Sequence, residues 1–217
     1  FYPQNDRTSP LSEPYVPTYI VLNTIGGSGW KKAGDWLEWK VDVPAAGLYR
    51  IAMRYKQKDS VGFSGIRAVS VNGSVPYAEA QDIRFPYSNS FQTNYLQSVA
   101  GEDLYFYFEE GTNTVRLTCS LGAYAEAASE LRETIDEISE IYYSITAITS
   151  TAPTKYQDYQ LTRRLPNLTT ELQHAGERLA DICSQVMEIT GGTTDVSSSI
   201  DRSADMFLEI AEYPSRI

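Results

Sequence analysis

Apolar and polar residues alternate one by one through the first half of the chain, then switch near Gly122 to a spacing of three and four. Over 36–43, Leu37, Trp39, Val41 and Val43 fall on one side and Trp36, Glu38, Lys40 and Asp42 on the other, the pattern of a half-buried strand. After Pro44-Ala45-Ala46-Gly47 the alternation resumes, with Tyr49, Ile51, Met53 and Tyr55 opposite Leu48, Arg50, Ala52 and Arg54. The spacing therefore predicts an antiparallel hairpin over 36–55. Residues 66–71 alternate into Asn72-Gly73, a strong two-residue turn. Leu104, Phe106 and Phe108 alternate with Tyr105 and Tyr107, residues 109–113 read as a turn, and Val115, Leu117 and Cys119 continue one face, predicting a second hairpin. Residues 77–97, with Pro86, Asn89 and Asn94, are too irregular for one strand and read as a long loop or a pair of short edge strands.

Beyond Gly122 the stripes are helical. Leu131, Ile135, Ile138, Tyr142 and Ile145 step by four and three through 123–149. Leu168, Leu172, Ala175, Leu179, Ile182, Val186 and Ile189 keep the same rhythm from just after Pro166 to Gly191-Gly192. A third helix is expected from about Asp195 through Ile200, Ala204, Phe207 and Ala211 to Tyr213, ended by Pro214. The expected class is α+β with segregated halves, a β-sandwich over 1–121 followed by an antiparallel three-helix bundle over 122–217. That bundle is expected to pack through Leu131, Ile135, Ile138, Leu172, Leu179, Ile182, Val186 and Phe207.

Charge sharpens the same boundary. Residues 1–121 hold 11 Lys+Arg and 12 Asp+Glu, a net of −1, whereas 122–217 hold 7 and 16, a net of −9. Neither half offers the basic surface that phosphate contacts need, so no nucleic acid partner is expected. All three Trp and ten of the sixteen Tyr precede residue 122. At 217 residues and 42% hydrophobic the chain can bury a core, and it has no apolar run that could span a bilayer. It begins at Phe1 with no initiator Met and no leader pattern, which reads as a cut end. Cys119 and Cys183 each sit in an apolar pattern, so two buried free thiols are expected rather than a disulfide.

The residues do not assemble a catalytic group. The single histidine, His174, lies within the second helical stripe, and a Ser-His-Asp or Cys-His arrangement cannot be built without it. Gly26-Gly27-Ser28-Gly29 lacks the Lys-Ser/Thr of a phosphate loop. Glu109-Glu110 and Glu102-Asp103 could serve as paired carboxylates on a sugar, but both lie in turn-like stretches and read as solvated. No enzyme is expected. Sugar binding is the chemistry this composition permits, because flat rings stack on pyranoses while amide and charged side chains bond their hydroxyls. Trp30, Trp36, Asn94 and Tyr95 are the candidate carbohydrate ligands, with Tyr87, Asn89 and Phe91 nearby on the same irregular segment as the last two. Against this stands the plainer reading of each ring as packing.

The pattern over 36–55, followed by the strand ending in Val71-Asn72-Gly73, resembles the sugar-binding jelly-roll modules of carbohydrate-binding families six and thirty-five. Taken together, Asn5-Asp6-Arg7-Thr8-Ser9-Pro10, Glu13-Pro14, Leu37-Glu38-Trp39, Gly47-Leu48-Tyr49, Arg54-Tyr55, Asn72-Gly73, Glu79-Ala80 and Phe85-Pro86 make a closer match. With Asp158-Tyr159-Gln160-Leu161 and Arg163-Arg164-Leu165-Pro166 of the helical half, they resemble a module embedded in large extracellular solute-binding proteins of Gram-positive ABC sugar importers. The resemblance covers nearly the whole chain. It implies a jelly roll with the helical bundle inserted into it and a closing strand after the bundle, which this sequence stops short of. It further implies a lipid-anchored N-terminus, two α/β lobes that hold the solute, and an ABC permease partner, all lying outside this chain. The related modules hold a structural calcium ion through acidic residues of an initial strand; that strand would precede Phe1, leaving Asp6 and Glu13 as remnants. No other cofactor is expected. The chain thus reads as an accessory fragment of an extracellular lipoprotein for carbohydrate uptake. The rival reading is a structural or protein-interaction module that binds no sugar, and a hydrolase appendage ranks third.

Overall fold

The alternating runs of the first half become eight strands among the described residues of a computed structural model, which are 3, 4, 14–16, 18–59, 61–154 and 157–213. They are β1 (Trp36–Val43), β2 (Gly47–Tyr49), β3 (Ala52–Tyr55), β4 (Gly65–Val71), β5 (Ile83–Phe85), β6 (Gln92–Tyr95), β7 (Phe106–Phe108) and β8 (Gly111–Cys119). One antiparallel sheet has the order β1-β8-β4-β5, while β2 pairs with β7 and β3 with β6 in two further antiparallel ladders. Val69, Phe85, Val115 and Leu117 from the four-stranded sheet and Phe106 and Phe108 from β7 meet in a single core. Trp39, Val43, Tyr49, Ile51, Met53 and Tyr55 pack against it. Each large apolar side chain taken out of water there contributes about 1.5–3 kcal/mol.

Neither expected hairpin forms. β1 pairs with β8, not β2, so the chain crosses from one layer to the other at Pro44-Ala45-Ala46. The crossing is held by the Tyr49 hydroxyl, which donates to the Ala45 carbonyl at 2.7 Å, and by the Tyr49 ring, set edge-on against Phe108 at 5.7 Å. β7 and β8 likewise belong to different ladders. Their link is pinned by Asn113, which is 1% exposed and satisfied on both sides of its amide. Its Nδ2 donates to the carbonyls of Glu109 and Gly111, and its Oδ1 accepts from Asn72 Nδ2 and from the Glu109 backbone N–H. A buried amide left unsatisfied would cost about 1–3 kcal/mol. The inward residues are nearly those expected, since strands in different layers share one core; Val41 is the exception and is exposed. Asn72-Gly73 does turn the chain, with φ of 51° and 84° and mutual hydrogen bonds between Val71 and Ser74. Of the two alternatives for 77–97, short strands are found: β5 edges the four-stranded sheet and β6 pairs with β3.

Contacts divide the chain into two units, Phe1–Ala123 and Tyr124–Ile217. The second holds three long helices, α1 (Ala125–Thr149), α3 (Leu168–Thr190) and α4 (Asp195–Glu212), and a single turn, α2 (Leu161–Arg164). The α3 stripe is as expected through Val186, with Leu168, Leu172, Ala175, Leu179, Ile182 and Val186 buried, while Ile189 at its end is only half-buried. Gly191, at φ 72°, closes that helix in the left-handed conformation glycine tolerates. Thr194 and Ser197 open α4 with a reciprocal capping box whose members are themselves buried. Pro214, expected to end α4, lies outside the described residues. Gly176 lets α3 and α4 approach closely, for a Cβ there would stand 2.7 Å from Leu208 Cγ.

The expected α1 stripe is wrong at two positions. Ile135 and Tyr142 are 51% and 54% exposed, and the buried positions are Ala127, Thr134, Ile141 and Thr149. Thr134 takes an inward place at 0% exposure because its hydroxyl donates to the Glu130 carbonyl one turn earlier, at 2.8 Å, leaving its methyl to pack. A polar residue satisfied within its own helix was passed over in favour of the apolar neighbour beside it.

Candidate functional site

Trp36 opens β1 and points away from the core, opposite Thr118 of β8. It is 48% exposed. Two residues along, Glu38 faces Arg116 across the ladder, and alternation puts all three side chains on the same outer face. The Arg116 guanidinium donates to Glu38 Oε2 from Nε at 2.9 Å and approaches it from Nη2 at 2.8 Å, while its carbon lies 4.2 Å from the Trp36 ring centre. A shallow, open hollow of about 390 Å³, lined by Gly34, Asp35, Trp36, Leu37 and Glu38, adjoins the ring. Asp35 is tied down on its own side, its carboxylate accepting from the Lys32 N–H at 3.0 Å and its carbonyl from the Cys119 N–H at 2.7 Å. A flat apolar ring beside a fixed carboxylate and a fixed guanidinium supplies what a pyranose needs: a face to stack on, an acceptor and donors.

The other candidates do not join Trp36. Trp30 is half-buried against the core; its indole N–H donates to the Asp35 carbonyl at 3.3 Å, and the Arg67 guanidinium covers its ring at 4.1 Å. Burial lowers the Arg67 pKa from its ordinary value. Tyr95, 47% exposed, lies on β6 in the other layer with Arg50 stacked on its ring at 3.9 Å. Asn94 alternates away from Tyr95 and donates to the Tyr55 hydroxyl at 3.3 Å. Arg116, Glu38 and Arg50 were missed in the sequence because each becomes relevant only through its cross-strand neighbour, and the strand pairing was misread.

Asp103, half of one candidate carboxylate pair, is committed to structure. It accepts from Gln97 Nε2 at 3.0 Å and pairs with Arg50. The Gln97 hydrogen bond first, then Arg50, hold its carboxyl below the 3.8 of an ordinary aspartate. Since its pKa is lower folded than unfolded, the ionised form contributes stability above the ordinary value, and that contribution is lost as pH falls through the lowered one. A carbon-detected NMR titration is expected to place the Asp103 midpoint below 3.8 in the native protein and to move it upward in Gln97→Ala; a native midpoint at or above 3.8 would contradict this pairing. Glu102, Glu109 and Glu110 are exposed. His174 is exposed on α3, its Nδ1 3.9 Å from Glu137. Among the described residues no three His, Cys, Asp or Glu side chains converge where a metal ion could sit. Asp6 and Glu13, the expected calcium remnants, lie outside the described residues. Cys119 and Cys183 are free and buried, and burial pushes both thiols up.

No curated protein matches this chain. Among solved structures, a native family 35 carbohydrate binding module from Clostridium thermocellum aligns at 18% identity and a TM-score of 0.34, over 42% of this chain and 63% of that one. Residues 126–217, which comprise nearly all of the helical unit, match the family model described as the bacterial solute-binding protein 4-helix bundle domain. The helical half of the chain is therefore similar to the helical domain of bacterial solute-binding proteins.

Proposed function

We propose that this chain is a non-catalytic accessory part of an extracellular solute-binding lipoprotein serving ABC-type carbohydrate uptake, in which the β unit, a jelly roll, binds glycan. The observation that carries the transport assignment is the match of residues 126–217 to a solute-binding-protein helical domain. The glycan assignment is supported by Trp36, an exposed indole standing beside the paired Glu38 and Arg116. The permease would be met by the full-length protein, held at the cell surface by a lipid. Among the described residues no helix is long and apolar enough to cross a membrane.

A single stacked ring on an open face buries little of a sugar, so affinity on the order of micromolar to millimolar is expected. Calorimetry of the intact chain against neutral plant and bacterial oligosaccharides tests the reading. Trp36→Ala should weaken binding about tenfold or more, and unchanged affinity in that variant would remove Trp36 from the site. A second reading, an interaction module without sugar binding, draws support from Ile135, Tyr142 and Tyr143, three large apolar side chains exposed on α1. It predicts no heat with any glycan.

A further inference from the structure

The outward side of the β2, β3, β6 and β7 layer holds a file of tyrosines. Leu104 and Phe106 are buried, so alternation turns Tyr105 and Tyr107 to the opposite side, where they are 51% and 58% exposed. Tyr95, 47% exposed, continues the file on β6. The three share one line because β2 and β3 follow each other closely and pair first with β7 and then with β6: Tyr107 stands opposite Leu48 and Tyr95 opposite Ala52. Between Tyr95 and Tyr105 the chain makes a closed excursion, bridged at its base by Gln97 and Asp103. Within it the Ser98 N–H donates to the Glu102 carbonyl at 2.9 Å, and the Ser98 hydroxyl accepts from the Glu102 N–H at 3.2 Å. Measured along the partner strand from Leu48 to Ala52, the file runs roughly 13 Å, the length of a short run of linked sugar rings. Its backbone is fixed at Tyr105, whose carbonyl accepts from the Tyr77 hydroxyl at 3.0 Å. Arg50 lies on one face of the Tyr95 ring, 3.9 Å from its centre, and is itself answered by Asp103. Between Leu48 and Ala52 the file therefore carries no unpaired charge. Among the described residues none of its three tyrosine hydroxyls has a hydrogen-bond partner.

We propose that this file binds the interior of an unbranched, neutral, β-linked glycan. Pyranoses joined through equatorial bonds form an extended chain with flat C–H faces; those faces stack on Tyr105, Tyr107 and the open side of Tyr95, while the tyrosine hydroxyls donate to and accept from sugar hydroxyls. A row of rings along a strand reads the length of such a chain rather than its end. Local neutrality selects the occupant: with Arg50 answered by Asp103, a charged chain finds no complement along the file. A second copy of the protein is a poor occupant, because two chains of net charge −10 repel. The inference rests on the reading of the β unit as a glycan-binding module and names the class of glycan, with a surface separate from Trp36.

The test is calorimetry of the full chain with β-1,4-linked glucose oligomers from the disaccharide to the hexasaccharide, and with α-1,4-linked oligomers of the same lengths. Affinity for the β-linked series should rise about tenfold between the disaccharide and the tetrasaccharide and then level off, with little dependence on salt. Tyr105→Ala and Tyr107→Ala should each weaken the longer β-linked oligomers several-fold without changing the melting temperature, while Trp36→Ala leaves the rise with length intact. Affinity that does not depend on length, equal affinity for the two series, or full affinity in the Tyr105→Ala/Tyr107→Ala double variant overturns the proposal. If oligosaccharides bind through Trp36 alone, the glycan-binding reading stands and this one falls; if none binds, both fall. Self-association that the double variant abolishes, without sugar binding, would assign the file to a protein contact and overturn the proposal.

Discussion

Phe106→Ala is expected to destabilise the β unit by about 3–5 kcal/mol. Phe106 is fully buried at the centre of β7, its ring 5.6 Å from that of Tyr77, and it packs with Leu96, Leu104 and the inward residues of the four-stranded sheet. Removing the ring leaves a cavity that a sheet cannot close, because strand spacing is fixed by the ladder. Against a typical stability of about 5–15 kcal/mol this is a large fraction. Tyr107→Ala, one residue on but facing solvent, should stay within about 0.5 kcal/mol. Urea unfolding followed by tryptophan fluorescence reads both, since all three Trp lie in this half. Comparable losses in the two variants would contradict the facing of β7.

Leu179→Ala should cost the helical unit about 2–5 kcal/mol, and Ile135→Ala almost nothing. Leu179 is 4% exposed in the middle of α3, whereas Ile135 stands half in water on α1. The contrast separates the observed α1 face from the one that apolar spacing suggests. Unfolding monitored by circular dichroism at the helix band measures it. A loss below half a kcal/mol at Leu179 would mean that the α3 stripe does not face a core.

These two variants also mark how far the sequence reaches. Strand existence and facing were legible at Phe106 and Leu117 because a period of two follows directly from the pleat. Strand partners were not, because β1 and β2 present the same alternation whether they pair with each other or cross between layers. What decides the crossing is tertiary: Tyr49 against Phe108, and Asn113 buried beneath its turn. In the helices, α3 was legible since every inward residue is apolar or Ala. α1 was not, because Thr134 faces inward by satisfying itself on its own helix while Ile135 does not. The candidate site suffered from the same gap. Trp36 was found as an outward ring, yet Arg116 lies eighty residues away in sequence and reaches it only through the β1–β8 register.

The most direct measurement of the glycan-binding role is a nitrogen–proton NMR titration of the intact chain with a panel of neutral and acidic oligosaccharides, following the three indole signals and the backbone amides. A glycan-binding β unit predicts saturable shifts at the Trp36 indole or along β2, β6 and β7, with the amides of α1, α3 and α4 unmoved. No saturable shift with any oligosaccharide at millimolar concentration, or shifts confined to the helices, would contradict it and leave the rings as packing.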